Sequence, residues 1–266
     1  VDLRQACRAA GIGVVSVSTH SGPERVHRAV PTLTTRLVVS LGAPIEVRYD
    51  ARTTHTNAVL TGLMRPGVAT SATVLRPQQP TVYVELTAPA LQRLTGMPPS
   101  ELDAGGVSAD AVLPWAGSLR QELTDRPAHQ REAVVRRRLL EELASSRRSW
   151  GNDDAFRTLA LIDAHDGTMS ADELARAAHL SPRRLRDVMG QALGVTPKFA
   201  SRVARLGAAV NRAGAGAASW ADVASASGYH DQSHLVRDFR DLMDTTPTAW
   251  LGEEGRNLQG WRRPQP

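Results

Sequence analysis

The chain has 266 residues, 41% apolar and 22% charged, which is ordinary for a globular protein and long enough for about two domains of roughly 150 residues. Its 21 Gly and 16 Pro fall far below a collagen-like or low-complexity composition, so disorder is not expected. The net charge of +5 resembles a nucleic-acid signature, yet residues 1–149 hold 18 Arg against 13 acids while residues 150–266 hold 13 Arg and Lys198 against 14. The excess therefore lies outside the half that carries the motifs below, and net charge says nothing about DNA.

In chain order, Val1–Arg8 mixes acid and base and leads into no apolar core with a small-residue cleavage site, which predicts a cytoplasmic address. Cys7 is the one cysteine, so an intrachain disulfide and a multi-cysteine zinc site are both excluded, as suits a reducing compartment. Six short β segments follow: Gly13–Ser18, Arg36–Leu41, Ile45–Tyr49, Ala58–Leu63, Ala72–Leu75 and Thr81–Leu86, broken by Gly42-Ala43-Pro44, Arg65-Pro66-Gly67 and Arg76-Pro77. They predict a barrel or sandwich. The most apolar stretch, Leu37–Val47, is interrupted by Ser40, Gly42, Pro44 and Glu46, so no membrane span is expected.

After Thr87 the pattern becomes helical over Pro89–Thr95, Ala111–Leu123 and Ala128–Arg147. The last places Val134, Val135, Leu139, Leu140 and Leu143 on one stripe, which fits either the core of its own domain or a homodimer interface. Arg136-Arg137-Arg138 on the same helix point in three directions and read as solvated surface.

From Asp153 onward the chain reads as helices alone and contains a repeat. Leu174-Ala175-Arg176-Ala177-Ala178 leads through Leu180 to Leu185 and Met189, and Val223-Ala224-Ser225-Ala226-Ser227 leads through Tyr229 to Leu235 and Phe239. The offset is 49 before the turn and 50 after it, as one extra turn residue would produce. Each copy is a short helix opened by Ser170 or Ser219, a turn, and a second helix opened by Ser181-Pro182 or Asp231. This is helix-turn-helix grammar. Between the copies Thr196-Pro197 opens a helix with Phe199, Val203, Leu206 and Val210 on one apolar face, a rod joining two units.

A helix-turn-helix lays its second helix in the major groove of double-stranded DNA, where residues near the helix N-terminus meet base edges. In the first copy these are Arg183, Arg184, Arg186 and Asp187; arginine suits guanine O6 and N7, and aspartate accepts from cytosine N4. In the second they are Asp231, Gln232, Ser233, His234 and Arg237, with Gln232 matching adenine N6 and N7. Arg202 and Arg212, on the rod and at its end, are the expected phosphate partners.

These residues resemble the AraC/XylS transcription regulators from about Phe156 to Trp250. The resemblance rests on Leu174-Ala175, Leu180-Ser181 with Leu185, Gly194-Val195-Thr196-Pro197, Arg205, Val223-Ala224, and Gly228-Tyr229-His230-Asp231-Gln232-Ser233-His234-Leu235 with Arg237, Phe239 and Thr246-Pro247. It departs at Asp187, Met189 and Gly190, where a basic, an aromatic and a basic residue are usual. The resemblance implies an α+β chain: a β-rich, cupin-like effector-sensing and dimerisation domain with flanking helices over residues 1–149, then an all-α DNA-binding domain over 150–266, with units at about 170–195 and 219–247. It implies a small-molecule effector, and RNA polymerase as a further partner if the chain activates.

Other chemistry is not expected. His230 and His234 have i, i+4 metal spacing but bracket the start of the second reading helix, and no Glu follows the first His as a zincin needs. His20, His27, His55 and His129 form no close pair in sequence, so a cupin-type metal enzyme with an accessory helical domain is the weaker alternative. A nucleoid-type binder without sequence preference is the other. No phosphate loop or nucleophile motif occurs, so neither metal, cofactor nor catalytic residue is assigned. Trp115, Trp220 and Trp250 read as core anchors.

Overall fold

A computed structural model describes residues 2–67, 69–146, 151–215 and 219–254. The expected domain boundary at 149/150 and the expected end of the Ala128–Arg147 helix at Arg147 fall outside the described residues. Two compact units are present. One comprises Val1–Val26, Thr34–Leu63 and Ala72–Gly151; the other is Asn152–Pro266 together with two short stretches, His27–Leu33 and Met64–Ser71.

The first unit is built on two antiparallel sheets. Strands β1 (Ile12–Thr19), β3 (Thr35–Ser40), β6 (Ala58–Leu60), β8 (Pro80–Leu86) and β9 (Val107–Ser108) form one, in the order β1-β8-β3-β6-β9. Strands β2 (Arg25–Arg28), β4 (Ile45–Tyr49), β5 (Arg52–Thr56) and β7 (Ala72–Leu75) form the other, in the order β2-β7-β4-β5. The pairing Leu37↔Val84 and Val39↔Val82 puts these side chains on one face of the larger sheet. There they join Ile12, Leu60 and Leu86 in a core shared with helices α1 (Leu3–Ala9), α2 (Ala88–Thr95), α4 (Ala116–Asp125) and α5 (Ala128–Ser145). The opposite face carries Val38 and Val59, which cluster with Ile45 and Val47 of the smaller sheet. On that same face the register sets Arg36 opposite Glu85 and Val38 opposite Tyr83.

Several readings need correction. The helix expected over Ala111–Leu123 is two, α3 (Ala109–Val112) and α4, because Pro114 cannot continue an α-helix. The α5 stripe is consumed by its own core: Val135 and Leu139 are fully buried, and Leu140 packs partly buried against them. It therefore gives no reason to invoke a homodimer. Arg136 is not solvated surface but buried, donating to Glu132 and, from Nη2, to the Val15 carbonyl at 3.2 Å. Because β1 is an edge strand, Arg136 caps a carbonyl that the sheet leaves open. Arg138 is half-buried, paired with Glu142 at 2.7 Å and lying over the Trp115 ring.

The helical unit repeats as the sequence does. Helix α6 (Asp153–Ala164) precedes α7 (Ala171–Ala177) and α8 (Pro182–Leu193); the rod is α9 (Pro197–Gly214); α10 (Trp220–Ala226), α11 (Gln232–Met243) and α12 (Pro247–Glu254) complete it. Both α7 and α10 have 7 residues, and both α8 and α11 have 12. Ser170 and Ser219 cap the first helices, each accepting a backbone N–H three residues on. The helix-turn-helix turns both pass through the left-handed region, at His179 (φ 54) in the first copy and Gly228 (φ 72) in the second. A side chain at that conformation is strained by about 1–2 kcal/mol unless it is glycine. His179→Gly is therefore expected to raise stability, and Gly228→Ala to lower it, each by about 1 kcal/mol, as read from urea unfolding of the full chain.

Candidate nucleic-acid interface

The first reading helix, α8, starts where Ser181 Oγ accepts from the Arg184 N–H at 3.2 Å and Pro182 occupies the first helical position. Leu185, Met189, Ala192 and Leu193 are buried on its inner face. Arg183, Arg184, Arg186 and Asp187 are all exposed. Helix N-termini carry partial positive charge, so this helix start, with two arginines in its first turn and Arg186 just beyond, is electrostatically suited to an anionic duplex.

The second reading helix, α11, is opened by Asp231, whose Oδ1 accepts from the His234 N–H at 2.7 Å. That bond, then the hydrogen bond from His230 to Oδ2 at 3.1 Å, holds the Asp231 carboxyl below the usual carboxylate range. Asp231 is thus engaged as the helix cap, and its negative charge disfavours approach to phosphate; a base contact would compete with the cap. His234 is half-buried and meets the Tyr229 ring edge-on at a centroid separation of 5.1 Å. Gln232 and Ser233 are exposed and free to face bases, and Arg237 lies along its own helix with Nε on the Ser233 carbonyl at 3.3 Å.

Gln232, Ser233, Val236, Arg237 and Arg240 line one shallow concavity. Arg240 was not among the sequence candidates. It sits eight residues beyond Gln232, so helical periodicity extends the reading face to it, and the signal was available in the spacing.

The two rod arginines are placed differently from expectation. Arg202 gives Nε and Nη2 to Asp238 Oδ1 at 2.9 and 2.6 Å, and Nη2 also to Asp241 at 2.7 Å. Arg212 pairs with Asp166 at 2.7 Å and reaches Ser227 Oγ at 3.3 Å. Both guanidinium groups are thus engaged by carboxylates of the same unit.

The rod itself buries Phe199, Val203, Leu206 and Val210, as its periodicity predicts, along with Ala200, Ala204 and Ala209. At its side Gly167 (φ 67) brings the loop so close that an added Cβ would lie 2.1 Å from the Ser201 carbonyl oxygen. Arg205 donates to the Gly167 carbonyl at 2.8 Å from the same helix. Among the aromatic anchors, Trp250 is fully buried and Trp220 meets Phe239 edge-on at 5.5 Å.

Residues 174–253 match the family of helix-turn-helix domains. This C-terminal region is a helix-turn-helix domain. A crystal structure of ToxT from Vibrio cholerae shares 12% identity with this chain over 91% of it and 98% of ToxT, at a TM-score of 0.51. ToxT bound to (E)-4-(8-methylnaphthalen-1-yl)but-3-enoic acid aligns at 11% identity, over 91% and 99% of the two chains, with a TM-score of 0.53. ToxT bound to an unsaturated fatty acid aligns over 91% and 96%, at 11% identity and a TM-score of 0.51. At these identities the likeness establishes architecture: a β-rich N-terminal region followed by the helix-turn-helix domain. No curated protein matches by sequence.

His55 is exposed on β5, an edge strand, and His20 Nε2 bonds the Pro23 carbonyl at 2.8 Å. Among the described residues no three His, Cys, Asp or Glu side chains gather as metal ligands, and no helix is long and apolar enough to cross a membrane.

Because its folded pKa is depressed, Asp231 contributes stability that is complete above the unfolded Asp value of about 3.9 and lost as pH falls through the folded value. Asp231→Asn keeps a neutral cap. Its thermal midpoint is expected to vary less than that of the native chain between pH 5 and the acid transition, about pH 2–4, in a circular-dichroism titration.

Proposed function

We propose that this chain is a sequence-specific regulator of transcription that reads double-stranded DNA with α8 and α11 and answers to a small-molecule effector at its N-terminal unit. The observation that carries the DNA reading is the pair of capped 12-residue helices, each with one face buried on the rod side and a second face of exposed Arg, Gln and Ser. Such short, repeated helices with free polar tips suit major-groove base edges. Arg183 is assigned to guanine, Gln232 to adenine, and Arg237 and Arg240 to the flanking contacts of the same groove. Asp187 limits the first helix to a donor such as cytosine N4 and repels phosphate, so the second helix carries the larger share of discrimination.

The effector proposal rests on the face between the two sheets. Its apolar wall of Val38, Ile45, Val47 and Val59 adjoins Arg36, Tyr83 and Glu85. The Tyr83 hydroxyl donates to Glu85 at 3.1 Å, and burial, with Glu85 adding to it against Arg36, keeps that hydroxyl protonated far above its ordinary range. An apolar wall ending in a cation and a phenol suits an amphipathic acid, the class bound in the ToxT complexes. An unsaturated fatty acid is the first probe: it is expected to raise the thermal midpoint of the full chain and change its DNA affinity, and neither effect at saturation would reject this class.

Arg183→Ala and Gln232→Ala are each expected to cost about 1–3 kcal/mol on DNA that the native chain selects from a random pool, and little on random DNA at the same salt. Equal losses on both DNAs would make them phosphate contacts. Selection of no preferred sequence by the native chain would leave the nucleoid-type reading in its place.

A further inference from the structure

Helix α11 has a second face that the reading role does not use. Asp238 is 2% exposed, and it sits on that face with Asp241, away from Gln232, Val236 and Arg240. A carboxylate so deeply buried is costly unless it is paired and hydrogen-bonded. Here the partner is Arg202, on the rod, with two nitrogens on Asp238 Oδ1 and one of them shared with Asp241. Tyr229, in the turn that leads to α11, lies against Asp238, and its hydroxyl is held protonated by burial and then by that charge. Arg205, one helical turn along the rod from Arg202, covers the Tyr229 ring at 5.6 Å. Rod, turn and reading helix thus meet in one small cluster of charged and polar groups.

Apolar contacts are non-directional, so the buried face of α11, Leu235, Phe239, Leu242 and Met243, sets its rotation less sharply than a directional hydrogen-bonded pair does. An ion pair in which two donors converge on one oxygen does not. A turn of α11 by one residue, about 100°, would strand Asp238 without its partner and swing Gln232 off the groove. We infer that Arg202 and Asp238 are positioning residues that fix the rotation of the second reading helix on the rod, so that sequence discrimination depends on a pair that touches no DNA. The inference rests on the DNA-reading proposal above and assigns Arg202 a role opposite to phosphate binding.

The test uses the full chain with two variants, Arg202→Met with Asp238→Leu together, and Arg202→Lys alone. The double variant removes both buried charges, an exchange that leaves folding neutral or improved. Lysine keeps the charge but not the forked geometry. Affinity is measured at several salt concentrations on the sequence the native chain selects and on random DNA, with circular dichroism reporting folding. The expected result is a folded double variant whose ratio of specific to random affinity falls about tenfold or more, with an unchanged salt slope. Arg202→Lys should lose part of the ratio in the same direction. A native ratio in the folded double variant, or in Arg202→Lys should the double variant not fold, would overturn the inference. A salt slope reduced by about one with the ratio retained would do so too, by making Arg202 a phosphate contact. Failure of the native chain to select any sequence would instead remove the DNA-reading proposal beneath it.

Discussion

The helical unit depends on one constraint: a single helix, Pro197–Gly214, must satisfy two helix-turn-helix units at once. An isolated helix-turn-helix has little apolar surface of its own to bury, since one face of its second helix has to stay open. The rod supplies what is missing by burying residues on both sides, Phe199, Val203, Leu206 and Val210 with large side chains and Ala200, Ala204, Ala209 and Gly207 with small ones. Small residues on the rod matter because they let neighbouring backbone approach, as at the buried Ser201, where the Gly167 loop is pressed to the rod and tied there by Arg205 and Arg212. A rod made of large aliphatics alone would hold its neighbours further away and leave those bonds unmade.

Electrostatics then divides the arginines into two populations. Those on the rod, Arg202, Arg205 and Arg212, are turned inward onto carboxylates and carbonyls. Those on the reading faces, Arg183, Arg184, Arg186 and Arg240, are exposed. Composition cannot separate the two, which is why a half of the chain with no net charge can still present positively charged helix ends. Among the acids that cancel the total, Asp231 caps the start of α11 and Asp238 is a buried partner beneath it. The same separation explains why the half with the charge excess is not thereby the DNA-binding half.

The helical unit was legible because its signals are local and repeated: the 49/50 offset, the Ser and Asp caps and the Thr-Pro pairs at 196 and 246 all reappear as helix boundaries. In the β unit, β4 and β7 match their predicted bounds because Val alternates with polar residues between clear turns. The strands that escaped notice, β2, β5 and β9, are all edges of their sheets and bury too little to show alternation; Arg52-Thr53-Thr54-His55 is exposed throughout. At the site, the exposed residues of both second helices could be read from their position after each cap. The fate of Arg202 and Arg212 could not, because their partners Asp238, Asp241 and Asp166 stand 36, 39 and 46 residues away, and only the fold makes them neighbours.

The central claim is that the rod holds two reading helices at a fixed spacing on one face of the duplex. Its 18 residues span about 27 Å, and with the bodies of the two units this permits contacts in successive major grooves, about 34 Å or 10 base pairs apart. The most direct measurement is footprinting of the full chain on its selected DNA with about five base pairs inserted between the two protected segments, which turns them to opposite faces. A rigid rod predicts that one segment is lost and that the one retained is read by Gln232. Undiminished protection of both segments would show that the units bind independently and would contradict it.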